Sequence, residues 1–363
     1  DSRIIAALPT INKLISDRAK VILMSHLGRP NGVENKFSLK HIVPYLSDVL
    51  KVDVSFSENC IGEKTEDLTK NMSDGEVLLL ENLRFHPEEK KGDVVFSEQL
   101  AKLADVYVND AFGTAHRSHA STSIIASFFP IEKYFGLLLK NEIDSLEKSL
   151  KNPEKPFTAI IGGAKISGKI DVITSLLSKV DNLIIGGGMA YTFAKACGGK
   201  IGDSLVENDK LDLAKEIISK AKLIGVNLIL PVDSVNSDEF SNNANINTSD
   251  ISDVPDGFMG LDIGEKSIKL FSEAIENSKT IIWNGPMGVF EMSNFEIGTK
   301  LLGESICKAT KGGAFSLVGG GDSVAAIKKF NMQSDVSYIS TGGGAMLKYL
   351  EGKELPGVKA IQE

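Results

Sequence analysis

The chain has 363 residues, of which 42% are hydrophobic and 24% charged, the balance of a globular enzyme. That length exceeds one ordinary hydrophobic core and predicts two domains. A net charge of −8 argues against a nucleic-acid partner. No apolar stretch approaches the ~20 residues that cross a bilayer, so no membrane partner is expected either. Three scattered cysteines and no visible secretory leader favour a reduced, cytoplasmic compartment.

Short apolar runs alternate with amphipathic helical segments along the whole chain. This alternation predicts an α/β fold of two doubly wound, parallel-sheet, Rossmann-like domains, with ligands at the carboxyl ends of the strands. The predicted strands are Val21–Met24, Val52–Phe56, Val77–Leu80, Val106–Val108, Thr158–Ile161, Leu183–Ile185, Leu228–Leu230, Thr280–Trp283, Ala314–Val318 and Ser337–Ile339.

A helix is predicted over Phe135–Leu150 because Asn152-Pro153 ends its pattern, and it is the candidate connector between the domains. The polar, asparagine-rich segment Ser237–Ser252 predicts a surface loop. The chain opens at Asp1 without a methionine, so a preceding segment is expected.

All five arginines and all five histidines lie in the first third of the chain. His26 and Arg29 follow one predicted strand, Arg84 follows another, and Arg117 with His119 follows a third. The guanidinium fork matches carboxylate and phosphate oxygens. A surface salt bridge would explain any single arginine. Three arginines at three strand ends predict an anion pocket instead.

Glycine clusters mark the second half, each placed after a predicted strand. Backbone amides at such turns bind phosphate oxygens, and glycine lets the ligand approach. Tyr191 and Val324 stand where a dinucleotide fingerprint needs a glycine, which disfavours a dehydrogenase. The clusters are Gly162-Gly163, Gly186–Gly188, Gly319–Gly321 and Gly342–Gly344.

The segment GAKISGKI nearly matches a P-loop, but Ile170 replaces the metal-binding hydroxyl, so a P-loop fold is rejected. Lys165 and Lys169 are one helical turn apart, and a shared face would let both hold phosphate charge. A solvated lysine pair is the alternative. Asp322 and Ser323 fit either a Mg²⁺ and phosphate site or a helix N-cap.

These segments together resemble the phosphoglycerate kinase family in its bacterial form. The resemblance rests on SHLGRP, ENLRF, NDAFGTAHRSHAS, FTAIIGGAKISGKI, IIGGGMAYTF, WNGPMGVFE, GGGDS and STGGGA, in that order. It implies a monomeric glycolytic enzyme that uses ATP or ADP with Mg²⁺, and 3-phosphoglycerate or 1,3-bisphosphoglycerate as the other substrate. The acceptor would be a carboxylate, already ionised at pH 7, so no general base is required.

The resemblance also implies domains and roles. Residues 1–135 with the tail 345–363 would bind 3-phosphoglycerate, 136–151 would form the hinge helix, and 152–344 would bind the nucleotide. The implied catalytic residues are Arg3, Lys165 and Gly343. The implied substrate ligands are Arg3, His26, Leu27, Gly28, Arg29, Arg84 and Arg117. The implied nucleotide ligands are Lys169, Gly186, Gly187, Gly260, Leu261, Asn284, Pro286, Glu291, Gly320, Gly321, Asp322 and Ser323, with Asp322 also the metal ligand.

Two departures from the family pattern stand out. The family's first strand, with its Arg-Val-Asp-Phe-Asn motif, is not among these residues, and Gly168 occupies a position that usually holds aspartate.

Two other functions stay open. One is a kinase or ligase for a different phosphorylated acid, and the other is a non-catalytic, two-lobed anion-binding protein that needs no Mg²⁺-nucleotide.

Overall fold

The computed structural model describes residues 2–363. The backbone forms two compact units. Unit 1 comprises residues 2–143 and Glu354–Glu363, and unit 2 is Asp144–Lys353. The boundary falls inside the helix Leu137–Leu150. The domain bounds inferred from the sequence concern ligand binding, and they stay a prediction.

Strands and helices alternate through most of the described chain. The strands are β1 (Val21–Leu23), β2 (Val54–Ser57), β3 (Val77–Leu80), β4 (Tyr107–Asn109), β5 (Lys133–Phe135), β6 (Phe157–Ile161), β7 (Asn182–Ile185), β8 (Lys200–Ile201), β9 (Asn227–Ile229), β10 (Asp233–Ser237), β11 (Ile246–Asp250), β12 (Asp253–Val254), β13 (Met259–Ile263), β14 (Thr280–Asn284), β15 (Phe315–Val318) and β16 (Tyr338–Ile339). The α-helices are α1 (Ser2–Ser16), α2 (Val43–Leu50), α3 (Glu63–Lys70), α4 (Pro87–Lys91), α5 (Val94–Ala101), α6 (Leu137–Leu150), α7 (Ile170–Leu177), α8 (Ala190–Ala196), α9 (Leu211–Ile224), α10 (Glu265–Glu276), α11 (Ile297–Lys311), α12 (Gly321–Lys329), α13 (Gly343–Leu350) and α14 (Pro356–Gln362).

Unit 1 is built on a parallel sheet of order β1-β3-β2, with a separate parallel pair β4-β5. The central strand β3 is buried at every residue. Because side chains alternate across a strand, Val77 and Leu79 enter one core cluster while Leu78 and Leu80 enter another. A strand apolar on both faces is what a sheet covered on both sides requires.

Unit 2 contains a six-stranded parallel sheet of order β16-β15-β14-β6-β7-β9. The chain runs outward from β6 in one direction through β7 and β9, and then from β14 in the other direction. The strand order therefore reverses between β6 and β14. In open α/β sheets the ligand crevice lies at such a point, beyond the carboxyl ends of the strands. The predicted fold class is confirmed.

Two sequence predictions of secondary structure are wrong. Ser237–Ser252 is not only a loop, because β11 lies within it and pairs antiparallel with β10. The Asn236 amide donates to Asn247 Oδ1 at 2.8 Å and to Ser249 Oγ at 2.9 Å, so polar side chains satisfy each other across the strands. The connecting helix starts at Leu137, not Phe135, because Phe135 ends β5.

No helix in residues 2–363 combines the length and the apolar character needed to cross a membrane.

Candidate active site

A basic cluster in unit 1 brings together residues that follow three strands and Arg3 from α1. We define it as Arg3, His26, Arg29, Arg84, Arg117 and His119. His26 and Arg29 follow β1, Arg84 lies in a short 3-10 helix (Leu83–Phe85) after β3, and Arg117 follows β4. The charges of Arg3, Arg84 and Arg117, and that of His119 when it is protonated, act on the His26 ring, and the charge of Arg29 acts on Arg84. The convergence predicted from the strand ends is therefore present.

The loop that carries Leu27 and Gly28 is held by two buried residues that follow β3. Asn82 Nδ2 donates to Leu27 O at 2.8 Å, and Arg84 Nη1 donates to Gly28 O at 2.7 Å. Gly28 has a φ of +64°, and a Cβ there would lie 2.4 Å from the Phe37 ring. Only glycine fits this turn without a shift.

The cluster has more donors than the protein itself satisfies. Arg84 is 9% exposed, and within the described residues neither its Nε nor the buried Nε of Arg117 has a hydrogen-bond partner. Unpaired buried cations are costly unless an anion compensates them. The nearby acid, Glu89, is already engaged, since its carboxylate accepts from the Ser121 amide at 3.0 Å and hydroxyl at 2.7 Å.

Both histidines of the cluster are electrically neutral at pH 7. Burial, and then the surrounding arginines, lower the pKa of His26 to about 4 and that of His119 to about 4. His119 Nδ1 lies 3.7 Å from Glu89 Oε1, but with that pKa the contact is not an ion pair at neutral pH. Burial and the neighbouring charges also lower the pKa of Arg84.

We expect the ligand-free protein to lose stability between pH 6.5 and 4 because of His26 and His119. Their pKa values are lower in the folded than in the unfolded chain, so the unfolded chain binds more protons in this window. Urea unfolding at pH 7 and pH 5 should show that the His26→Gln/His119→Gln variant loses less stability than wild type, by about 2 kcal/mol, which is roughly half of what two pKa shifts of this size would give without solvent screening. An equal loss in both proteins would contradict the prediction. A bound dianion should reduce the wild-type loss, because it favours the protonated rings.

In unit 2 the turns after β6 and β14 meet backbone to backbone. Gly162 N donates to Asn284 O at 2.9 Å, and Gly163 N donates to Pro286 O at 3.2 Å. A Cβ at Gly162 would lie 2.2 Å from Pro286 O, and one at Gly285 2.2 Å from Gly162 O. Close approach, rather than turn geometry alone, requires these glycines.

Asn284 is the centre of a polar network at this point. Its Oδ1 accepts from Lys169 Nζ and its Nδ2 donates to Gly319 O at 2.8 Å. The Ser323 hydroxyl accepts from Gly285 N at 2.6 Å, which ties the start of α12 to the turn after β14. Burial lowers the pKa of Lys169, and the carboxylate of Asp322 acts in the opposite direction.

The remaining predicted nucleotide residues lie on neighbouring turns and on β13. A Cβ at Gly187 would lie 2.6 Å from Gly163 N, so the turns after β6 and β7 pack closely. A Cβ at Gly343 would lie 3.2 Å from the Cα of Gly320, which places the start of α13 against the start of α12. Gly186 packs on Met287, and Gly260 packs on Tyr191. Two backbone carbonyls accept hydrogen bonds: Leu261 O from Val289 N at 2.8 Å, and Pro286 O from Gly163 N. Three of the predicted residues are exposed, namely Gly321, Asp322 and Glu291.

Lys165 and Lys169 do not share a helix face, contrary to the interpretation of their spacing. The helix α7 begins at Ile170, and Lys169 is its N-cap residue. Ser167 N is bonded to Glu207 Oε2 at 3.1 Å, which holds the segment away from helical geometry. Lys165 is exposed in this loop, and within residues 2–363 its ammonium group makes no hydrogen bond or ion pair.

Two residues near this crevice were missed by sequence reasoning. Thr299 Oγ1 accepts from Met287 N at 3.0 Å and from Gly288 N at 3.2 Å. Asp262 packs against Gly288 and Gly298. A single threonine in a helix carries no signal in one sequence, whereas Asp262 directly follows the predicted pair Gly260-Leu261.

An anion cluster in one α/β unit and glycine-lined turns with lysines in another are the features of a kinase of the two-domain α/β class. The sequence profile of one family, phosphoglycerate kinase, matches residues 1–353. The chain belongs to the phosphoglycerate kinase family. That family catalyses reversible phosphoryl transfer between 1,3-bisphosphoglycerate and ADP, giving 3-phosphoglycerate and ATP in glycolysis, and this chain shares the function.

Relatives match along the whole chain. The chain is 52% identical to the phosphoglycerate kinase of Porphyromonas gingivalis, covering 100% of this chain and 92% of the relative. It is 53% identical to the cytosolic phosphoglycerate kinase 3 of Arabidopsis thaliana, covering 100% and 90%. The solved structure of phosphoglycerate kinase from Coxiella burnetii superposes with a TM-score of 0.91 at 41% identity, covering 100% of this chain and 91% of that one.

Proposed function

We propose that the basic cluster holds 3-phosphoglycerate and that the turns after β6, β14 and β15 hold the nucleotide. The observation that supports this most directly is the pair of buried, unpartnered guanidinium nitrogens on Arg84 and Arg117. A ligand with both a phosphate and a carboxylate offers the oxygens that such donors need. Arg3 and Arg29 are exposed on the same cluster and complete the contacts with the phosphate and the carboxylate.

Phosphoryl transfer to a carboxylate needs little proton chemistry from the protein. The acceptor carboxylate is ionised at neutral pH, so catalysis consists of positioning and charge stabilisation. We assign the moving phosphoryl charge to Lys165, Arg3 and the amides at Gly343. We assign nucleotide phosphates to Lys169 and Ser323. We assign the adenosine to the turns carrying Gly186, Gly187, Pro286 and Glu291, together with Gly260 and Leu261 on β13.

The side chains of unit 2 fit a magnesium ion that binds together with the nucleotide. Within the described residues, no group of three or more His, Cys, Asp or Glu side chains could hold a metal by itself. Magnesium bound with a nucleotide needs only one or two carboxylates, because phosphates and water fill its other positions. Asp322, exposed in the first turn of α12, would be that ligand. The ion would neutralise phosphate charge.

We also propose that the enzyme acts as a cytoplasmic monomer and that residues 136–151 serve as a hinge during the catalytic cycle. Free thiols at Cys60, Cys197 and Cys307 suit a reducing compartment. Neither nucleic acid nor a membrane is proposed as a partner, in keeping with the net charge of −8.

The test is MgATP consumption with three acceptors, in a coupled assay that removes the acyl phosphate. We expect turnover with 3-phosphoglycerate. Glycerol 3-phosphate lacks the carboxylate and should inhibit without being phosphorylated, whereas glycerate lacks the phosphate and should bind poorly. If the folded protein binds ATP but does not turn over 3-phosphoglycerate, the proposed acceptor is wrong and another phosphorylated acid is required.

A further inference from the structure

The loop of residues 284–291 joins β14 to the segment before α11, and it carries three of the proposed nucleotide ligands. One buried side chain and one backbone carbonyl, both outside the loop, hold its middle. Thr299, fully buried on α11, accepts from two consecutive loop amides, Met287 N at 3.0 Å and Gly288 N at 3.2 Å. The next amide, Val289 N, donates to Leu261 O at 2.8 Å. The loop is therefore held at three successive residues.

The side chain of Asp262 packs directly against this loop at Gly288. It is 2% exposed on β13, and its Oδ2 accepts from Gly298 N at 2.8 Å in the first turn of α11. The Oδ1 accepts from Ile263 N at 2.8 Å. One carboxylate therefore satisfies an otherwise orphaned donor at the helix start and a strand amide.

Two glycines leave the space that this carboxylate fills. A Cβ at Gly288 would lie 2.2 Å from Asp262 Oδ1, and one at Gly298 would lie 2.3 Å from the same oxygen. The loop backbone and the helix start therefore both lie directly on the carboxylate. Any change in its size or hydrogen bonding must move one of them.

We propose that Asp262 and Thr299 are positioning residues that set nucleotide affinity by fixing the 284–291 loop. The proposal rests on the assignment of Asn284, Pro286 and Glu291 to the nucleotide site. Neither side chain is assigned a contact with substrate. Burial raises the pKa of the Asp262 carboxyl to about 7, and the charge of Glu296 acts in the same direction.

The test replaces Thr299 by valine, which keeps the shape and removes the acceptor, and by serine, which keeps the hydroxyl. We expect Thr299→Val to raise the KM for MgATP, and the Kd for ADP measured by calorimetry, about tenfold because two loop amides lose their partner. The kcat and the KM for 3-phosphoglycerate should stay within about twofold, and Thr299→Ser should restore nucleotide affinity. Asp262→Asn should also weaken nucleotide binding, because the NH₂ group of the asparagine would face a backbone N–H that the carboxylate now accepts from.

A matched control exists on the neighbouring strand. Asp233 on β10 is 5% exposed and accepts from Lys266 N and Ser267 N, both at 2.9 Å, at the start of α10. Asp233→Asn should lower the Tm as Asp262→Asn does, and leave the nucleotide KM unchanged. Equal KM changes in the two aspartate variants, or wild-type affinity in Thr299→Val, would overturn the inference. If wild type binds ADP but does not use 3-phosphoglycerate, weaker ADP binding by Thr299→Val still supports the inference while the proposed acceptor fails.

Discussion

Replacing Lys165 by alanine is expected to lower kcat by about 10²–10³-fold, the cost of losing one group that stabilises charge in a transition state. Nucleotide affinity should change by less than about twofold. The reason lies in the different settings of the two lysines. Lys169 is anchored on Asn284, whereas Lys165 is exposed and makes no hydrogen bond within residues 2–363. A side chain without a fixed partner is able to follow the phosphoryl group.

Steady-state kinetics and ADP calorimetry on three variants would check this assignment. Lys165→Ala should lose turnover and retain ADP binding, while Lys169→Ala should weaken ADP binding. Lys195, an exposed lysine on α8 of the same unit, is the control for removal of one surface charge. Wild-type kcat in Lys165→Ala would remove this lysine from the proposed reaction.

The sequence was sufficient to predict elements whose pattern is local. Val77–Leu80 was predicted at its observed bounds because four consecutive apolar residues form a strand buried on both faces. The strand β11 could not be predicted in this way. Its polar side chains are stabilised by Asn236 on another strand, and that partner becomes visible only after the chain has folded.

The site divides along the same line. His26, Arg29 and Arg84 could be predicted as neighbours because they follow β1 and β3 of one parallel sheet. Arg117 follows β4 of the separate pair and Arg3 lies on α1, so their place in the basic cluster depends on the fold of the whole unit. The prediction that Lys165 and Lys169 share a helix face was wrong because the Ser167 amide, which lies between them, donates to the carboxylate of Glu207, 40 positions away. Asp262 and Thr299 were missed for a similar reason, since their partners are loop amides and glycines brought near by the fold.

Replacing Arg117 by methionine is expected to weaken 3-phosphoglycerate binding about 100-fold while leaving the ligand-free protein as stable as before, or more stable. The guanidinium has a buried, unpartnered Nε, and its charge lowers the pKa values of His26, Arg84 and His119. In the absence of ligand it therefore contributes mainly repulsion. Two charge-assisted hydrogen bonds to a dianion account for the expected loss, at about 1.5 kcal/mol or more each.

Three measurements separate this outcome from a purely structural role for Arg117. The KM for 3-phosphoglycerate should rise, the Tm of the ligand-free protein should not fall, and NMR titration should show higher pKa values for His26 and His119. Arg18→Met, an exposed arginine in the turn after α1, should change none of the three. A lower Tm with an unchanged KM would mean that Arg117 supports the fold. A stable variant with weak binding would mean that the positive charges of the cluster lower the stability of the ligand-free protein. The ligand would then supply the negative charge that compensates them.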